Sequence, residues 1–315
     1  MIIQILDRIS IGADTPLDAF AGFGEVRIYE KTEREELCDR IAEADILILN
    51  KVRLDAAAFA AAKKLKLVCV FATGVDNIDL SAARERGVAV CNVPGYSTES
   101  VTQFTLAKVL SLSCHLPEYR AYVCSGAYSA SGLPNRLEPV YHEIAGKTWG
   151  IIGYGNIGRA VGKVAQALGA RLLVCKQTPV SDVSCVDADT LCRMSDIITI
   201  HCPLNEKTER MIDERRISLM KPGVLLVNEA RGAVLDEAAV ARAVAEGRIG
   251  AFGCDVYARE PFAKDHPYTA IASLPNVCLT PHAAWGSWEA RARCAAIIAE
   301  NIEAYLRGEH KNRAV

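Results

Sequence analysis

The segment KTWGIIGYGNIGRAVGKVAQALGA, Lys147 to Ala170, constrains the fold of this chain more than any other. A short apolar run, Trp149 to Ile152, leads directly into Gly153-x-Gly155-x-x-Gly158, and Ile157, Val161, Val164, Ala165 and Leu168 follow at helical spacing. Strand, glycine turn and helix in that order predict a dinucleotide-binding βαβ unit. Gly153 allows the tight turn, Gly155 lets the backbone approach a pyrophosphate, and Gly158 lets the helix pack on the strand. The helix start then offers free N–H groups and a partial positive charge to the phosphates. Glycines at this spacing also occur in ordinary turns; the strand before and the uninterrupted helix after are what favour the nucleotide.

Such units usually carry an acid about 20 residues after the first glycine, on the ribose 2′-hydroxyl. No acidic residue lies between Glu143 and Asp182, and Lys176, Gln177 and Thr178 stand at the tip of the second strand instead. A lysine there suits a 2′-phosphate better than a bare ribose. The competing reading is a solvated loop lysine.

The 315 residues exceed one ordinary core and predict two domains. A net charge of −2 excludes a global attraction to nucleic acid or an anionic membrane surface. The twelve cysteines form no CxxC pair, and several sit in apolar runs, such as Cys69 in LKLVCVFA and Cys278 in NVCLTP. They read as small buried hydrophobes in a reducing compartment, not as metal ligands or crosslinks. The opening MIIQILDRIS is a strand without a basic head, and no apolar stretch reaches about 18 residues. A cytoplasmic protein is expected.

Strands and helices alternate throughout, which predicts parallel sheets flanked by helices. Expected strands in the first third are Ile2–Leu6, Ile46–Leu49, Leu67–Val70 and Val88–Cys91, with helices at Glu33–Glu43 and Leu54–Lys64. A second series runs Gly150–Ile152, Arg171–Cys175, Ile197–His201, Val224–Asn228, Gly250–Asp255 and Val277–Thr280. Two long helices, Ser97–Cys114 and Ser287–Leu306, carry the chain between the domains. The expected fold class is α/β: two doubly wound parallel-sheet domains, a Rossmann nucleotide domain (100–286) inserted into a flavodoxin-like substrate domain (1–99 and 287–315). Tyr119–Val140, with Gly126, Gly132, Pro134 and Pro139, is expected to be a loop-like exposed arm.

Ligands of open α/β sheets sit at the carboxyl ends of strands. Three titratable or charged residues stand just past such ends: Arg231 after VLLVN, Glu260 after GAFGCDV and His282 after VCLTP. Each alone has an ordinary explanation as a surface cation, a solvated acid or a loop imidazole. Three together at successive strand ends, beside a nucleotide turn, point to an active site.

The chain resembles the D-isomer-specific 2-hydroxyacid dehydrogenases from about residue 45 to its C-terminus. The likeness is carried by FATGVDNIDL (71–80), NVPGYSTESV (92–101), GIIGYGNIG (150–158), HCPLNEKT (201–208), NEARGAVLDE (228–237), DVYAREP (255–261) and TPHAAW (280–285). Within the family the wording is most similar to glycerate dehydrogenases, also called hydroxypyruvate reductases. The resemblance implies a catalytic set of Arg231, Glu260 and His282. His282 as imidazolium supplies the proton for a 2-keto acid, Glu260 orients it and favours its charged form, and Arg231 grips the substrate carboxylate. It also implies a substrate loop at Thr73, Gly74 and Val75, with Asn50 and Lys51 nearby. Cofactor contacts are implied at Gly153, Gly155, Asn156, Ile157, Gly158, Lys176, Cys202, Pro203, Thr208, Ala230 and Asp255, and no metal.

The implied reaction is reduction of hydroxypyruvate or glyoxylate to D-glycerate or glycolate with NAD(P)H, NADPH being accepted. Alternatives are a D-lactate-type or phosphite-oxidising enzyme and, in another class, a nucleotide-sensing corepressor-like binding protein. Formate dehydrogenases fit less well, since they place glutamine where Glu260 stands. A homodimer pairing through the Ser97–Cys114 helix and the arm is expected, with no nucleic-acid or membrane partner. Glu229 departs from the family pattern, which favours small or polar residues there, and the sequence gives no account of it.

Overall fold

Eleven short strands and eleven α-helices alternate along the residues described, 1–178 and 180–315, in a computed structural model of the protein. They form two compact units: Met1–Ser97 with Trp285–Val315, and Thr98–Ala284.

The first unit holds β1 (Ile2–Ile5), β2 (Glu25–Ile28), β3 (Ile46–Leu49), β4 (Leu67–Val70) and β5 (Ala89–Cys91). They are parallel and ordered β2-β1-β3-β4-β5, a flavodoxin-like arrangement. Its helices are α1 (Arg34–Ile41), α2 (Ala56–Ala61) and α3 (Leu80–Glu85), with a long one in the C-terminal segment. Side chains alternate across the sheet. Ile3, Ile5, Ile48 and Cys69 pack with Cys294 and Ile298 on one face, while Leu47, Leu49, Val68 and Val70 pack with Leu37, Phe59 and Ala83 on the other.

The second unit begins with α4 (Thr98–Ser113), α5 (Leu116–Cys124) and α6 (Ala127–Ser131). There follow β6 (Thr148–Ile152), α7 (Asn156–Ala167), β7 (Arg171–Cys175), α8 (Ala188–Met194), β8 (Ile197–Ile200), α9 (Glu214–Leu219), β9 (Val224–Asn228), α10 (Glu237–Ala245), β10 (Ile249–Cys254) and β11 (Val277–Leu279). The last helix of the chain, α11 (Trp288–Leu306), returns to the first unit. The six parallel strands are ordered β7-β6-β8-β9-β10-β11, so the winding reverses between β6 and β8. Ser184–Val186 adds a single parallel bridge outside β7, Val174 N–H to Ser184 O and Val186 N–H to Val174 O. That vestige stands where a Rossmann sheet places its third strand.

The arm differs from the sequence expectation. Leu116–Cys124 and Ala127–Ser131 are helical: Pro117 sits in the first turn of α5, where it costs no hydrogen bond, and Gly126 and Gly132 adopt positive φ at helix ends. Aspartate N-caps start many helices; Asp55, Asp79, Asp187, Asp213 and Asp236 each accept an N–H from the first turn, worth about 1 kcal/mol apiece. All twelve cysteines are free thiols. No helix among the described residues is long and apolar enough to cross a membrane.

Candidate active site

The glycine turn has the geometry its spacing predicts. Gly153 has φ +90°, and a Cβ there would lie 2.5 Å from the Cys202 nitrogen, so the turns after β6 and β8 touch through backbone alone. A Cβ on Gly158 would meet the Gly153 carbonyl at 2.1 Å, which presses α7 onto the turn. Gly155 is the opposite case: nothing lies within 4 Å of the position its Cβ would take. It caps α7 without a side-chain bond, so the N–H groups of Asn156 and Ile157 start a helix beside open space at the point where the winding reverses. That is a cradle for a pyrophosphate, and the residues present fit a dinucleotide.

Cys202 is buried and Pro203 exposed at the end of β8, and the Thr208 hydroxyl closes their turn by donating to the Pro203 carbonyl at 2.6 Å. His201 lies between them and the sheet. Both of its ring nitrogens are shut from solvent without a partner among the described residues, and burial pushes its pKa down to about 3. Lys176 is half-buried at the tip of β7. The sequence placed the nearest acid, Asp182, well beyond that tip, but the chain folds it back. Asp182 accepts Arg159 Nη1 of α7 at 2.5 Å, and both Arg159 and Lys176 hold its carboxyl below the usual range.

The three residues expected to do chemistry gather at the carboxyl ends of β9, β10 and β11. His282 Nδ1 and Glu260 Oε2 are 2.6 Å apart, and Glu260 Oε1 accepts the Tyr257 N–H at 3.0 Å. The next N–H, of Ala258, donates to Glu237 Oε1 at 3.0 Å, and Glu237 Oε2 lies 2.9 Å from His266 Nε2. Since His266 Nδ1 accepts from the Tyr268 N–H, Nε2 is the protonated nitrogen in the neutral ring. Two neighbouring amides thus pin two carboxylates, one of them on His282. Arg231 reaches the same backbone through its neighbour: a Cβ on Gly232 would lie 1.9 Å from the Tyr257 carbonyl carbon. The Asn228 side chain locks the turn by accepting the Ala230 N–H at 3.1 Å and donating to the Arg231 carbonyl at 3.0 Å.

Asp255 is buried and turned toward the loop that carries His282. Its carboxylate accepts the N–H groups of Ala283 and Ala284, both at 2.9 Å, and the Thr280 hydroxyl at 2.5 Å, while its carbonyl accepts the His282 N–H at 2.8 Å. His282 adopts φ 52°, a strained value that those bonds hold in place. Glu229, without account in the sequence, forms a buried ion pair with Lys108 of α4, Nζ to Oε1 2.7 Å. Burial outweighs the ammonium and raises the Glu229 carboxyl to about 7.

In the first unit the expected substrate residues also lie at the carboxyl edge of the sheet. The Asn50, Lys51 and Val52 N–H groups donate to one buried carboxylate, Asp7, at the end of β1. The Asn77 amide donates to the Asn50 and Val52 carbonyls, and the Thr73 hydroxyl to the Val93 carbonyl at 2.9 Å. Gly74 and Val75 are half-buried between these anchors. Asp7 and Asn77 were not singled out from sequence, although Asp7 follows a strand as the other site residues do.

A cavity of about 450 Å³ opens at the opposite, amino-terminal edge of the second sheet, lined by His115, His142, Lys147 and Lys221 among others. It is remote from the strand ends that carry this site.

The family model for the D-isomer-specific 2-hydroxyacid dehydrogenase NAD-binding domain matches residues 106–284. The chain belongs to the D-isomer-specific 2-hydroxyacid dehydrogenase family. It is 34% identical to a hydroxypyruvate reductase of Blautia hydrogenotrophica, over 99% of each chain. To a glycerate dehydrogenase of Methylorubrum extorquens it is 36% identical, over 98% of each. Among solved structures, an acyclic imino acid reductase in complex with NADPH and D-Arg superposes over all of both chains, with a TM-score of 0.87 and 29% identity. Membership makes the protein an oxidoreductase that moves a hydride between a nicotinamide cofactor and a small 2-keto or 2-hydroxy acid.

Proposed function

We propose that the physiological reaction is reduction of hydroxypyruvate or glyoxylate to D-glycerate or glycolate. The names of the two relatives support the substrate class. The observation that carries the mechanism is the 2.6 Å His282–Glu260 contact, held at the strand ends beside the Arg231 turn. When bound, the nicotinamide supplies or accepts the hydride.

The chain's own residues do the rest. With Glu260 on Nδ1, His282 presents Nε2 to the substrate and donates its proton to the carbonyl oxygen as that oxygen gains charge. Arg231 takes the carboxylate through its planar fork of donors, which fixes the 2-carbon. In the first unit, the N–H groups of Gly74 and Val75, beside Thr73, Asn50 and Lys51, take the remaining carboxylate oxygen. Gly153, Gly155, Asn156, Ile157 and Gly158 hold the pyrophosphate. Cys202, Pro203, Thr208, Ala230 and Asp255 would contact the rest of the dinucleotide, and Asp255 also holds the His282 loop in place. The unit Thr98–Ala284 is then the nucleotide domain and the remainder the substrate domain.

NADPH is accepted alongside NADH. Lys176 and Arg159 present two cations at the ribose end, and the one acid between them, Asp182, is already neutralised by Arg159. The protein works as a cytoplasmic homodimer. Support for pairing is the exposed apolar surface at 110–141, where Leu110, Leu116, Val123, Leu133, Leu137 and Val140 lie open. A spectrophotometric panel of hydroxypyruvate, glyoxylate and pyruvate with NADH and NADPH tests the reading. A kcat/KM highest for pyruvate would favour the D-lactate type instead.

A further inference from the structure

The ion pair that answers the sequence's one unexplained residue lies directly under the site. Lys108 and Glu229 have side-chain exposures of 3% and 0%, so the pair has almost no access to water. The lysine stem crosses β10 where no side chain intervenes: a Cβ on Gly253 would sit 3.2 Å from Lys108 Cδ. Its ammonium lies 5.2 Å from the centre of the Phe104 ring. Glu229 is the second residue of the turn Asn228-Glu229-Ala230-Arg231, and its backbone N–H is tied to the Ile200 carbonyl of β8. The second carboxylate oxygen has no hydrogen-bond partner among the described residues.

Stability alone gives little reason for this arrangement. Two charges are withdrawn from water for one contact, and replacing such a pair by apolar side chains of similar volume is often neutral or stabilising. A buried ion pair differs from an apolar one in direction. Any displacement of the turn relative to α4 leaves an ammonium and a carboxylate unpaired and shut from water, so the turn has one favoured register. Apolar side chains in the same space permit sliding and repacking.

We propose that Lys108 and Glu229 are positioning residues, a buried tether that fixes the 228–231 turn against α4 and thereby sets Arg231 and the Ala230 backbone for their ligands. This rests on the reading of Arg231 as the substrate's carboxylate clamp.

The test compares Lys108→Met/Glu229→Leu, Glu229→Leu, Glu229→Gln and wild type in the full enzyme. It reads the melting temperature, the Kd for NADH by fluorescence titration, and kcat and KM for hydroxypyruvate. The double variant is expected to melt at or above the wild-type temperature while its kcat/KM falls at least about tenfold, and Glu229→Gln, which keeps the contact's shape, recovers most of the activity that Glu229→Leu loses. A folded double variant with wild-type kcat/KM overturns the proposal. If the double variant fails to fold, equal activity of Glu229→Gln and Glu229→Leu overturns it.

Arg231→Ala, made in wild type and in the double variant, separates the two readings. A smaller loss in the double variant supports action through Arg231. Equal losses overturn the tether and leave the clamp standing, whereas a harmless Arg231→Ala in wild type overturns the clamp and the tether together.

Discussion

Gly232→Ala probes the closest approach in the site. The added Cβ would lie 1.9, 2.1 and 2.3 Å from the carbonyl carbon, the following nitrogen and the Cα of the Tyr257–Ala258 peptide, all backbone atoms that cannot swing aside. Real Cβ atoms come no closer than 3.0 Å, so the two backbones must part by more than 1 Å. The N–H of that peptide pins Glu237, and the adjoining Tyr257 N–H pins Glu260, so the movement is passed to the acid on His282. A misplacement of about 1 Å in a reacting constellation costs about 100-fold, or roughly 2.7 kcal/mol of transition-state stabilisation. The same crowding costs about 1–3 kcal/mol of folding stability, which a unit with an extensive apolar core survives. Steady-state reduction of hydroxypyruvate by Gly232→Ala, with calorimetry on the same sample, measures both. Gly22→Ala is the control, since its Cβ meets nothing within 4 Å. A folded Gly232→Ala enzyme with parental kcat/KM would refute the claim that the Arg231 turn and the Glu260 loop move as one piece.

Arg231→Ala should lower kcat/KM by several orders of magnitude, about 3–5 kcal/mol, with the Kd for NADH measured by fluorescence almost unchanged; strong activity in the variant contradicts the clamp. His201 is depressed to about 3 by burial, below its unfolded value, so its contribution to stability is complete above about 6.5 and is lost as pH falls toward 3. Urea titrations of wild type and His201→Phe should therefore diverge across that window, wild type losing more as acid is added, and parallel pH curves would show that the ring does not titrate there. Asp182→Asn should raise kcat/KM for NADPH relative to NADH by freeing Arg159 and Lys176 for a 2′-phosphate, and Lys176→Asp should reverse the preference; a wild type that prefers NADH by more than about 100-fold contradicts the placement of Lys176. Light scattering should give twice the chain mass, and Leu133→Glu/Leu137→Glu should shift it toward the monomer.

Much of this was legible because the decisive signals are local. The strands at Ile46–Leu49, Leu67–Val70 and Arg171–Cys175 are apolar runs bounded by turns, and the glycine motif spans six residues whose roles follow from their missing Cβ atoms. Arg231, Glu260 and His282 each sit just past a strand, so position in the sequence pattern predicted position in the fold. What escaped was either short or distant. β2, Glu25–Ile28, is an edge strand in which charged and apolar residues alternate over four positions, too few to register a period. The helices α5 and α6 were obscured because Gly126 and Gly132 read as breakers, although a glycine at a cap, like Pro117 in the first turn of α5, defines a helix end. Lys108 and Glu229 are 121 residues apart, and no local pattern links them. Asp182 lies past the strand tip in sequence and returns to α7 only through the fold.

The seams of the two units have a consequence for how such a chain can be rewired. Within the second unit the Ser100 hydroxyl donates to the Ala284 carbonyl at 2.6 Å, so the beginning and end of that unit are stapled together. Within the first unit, Tyr96 and Trp285 stack edge-on at 6.2 Å and Arg293 Nε donates to the Tyr96 carbonyl at 3.1 Å, which brings its own two cut ends together. Each piece therefore has its cut ends side by side, the condition under which permutation and module exchange are tolerated. A graft made at Ser97/Thr98 and Ala284/Trp285 changes what the enzyme holds at one sheet without asking the other to refold.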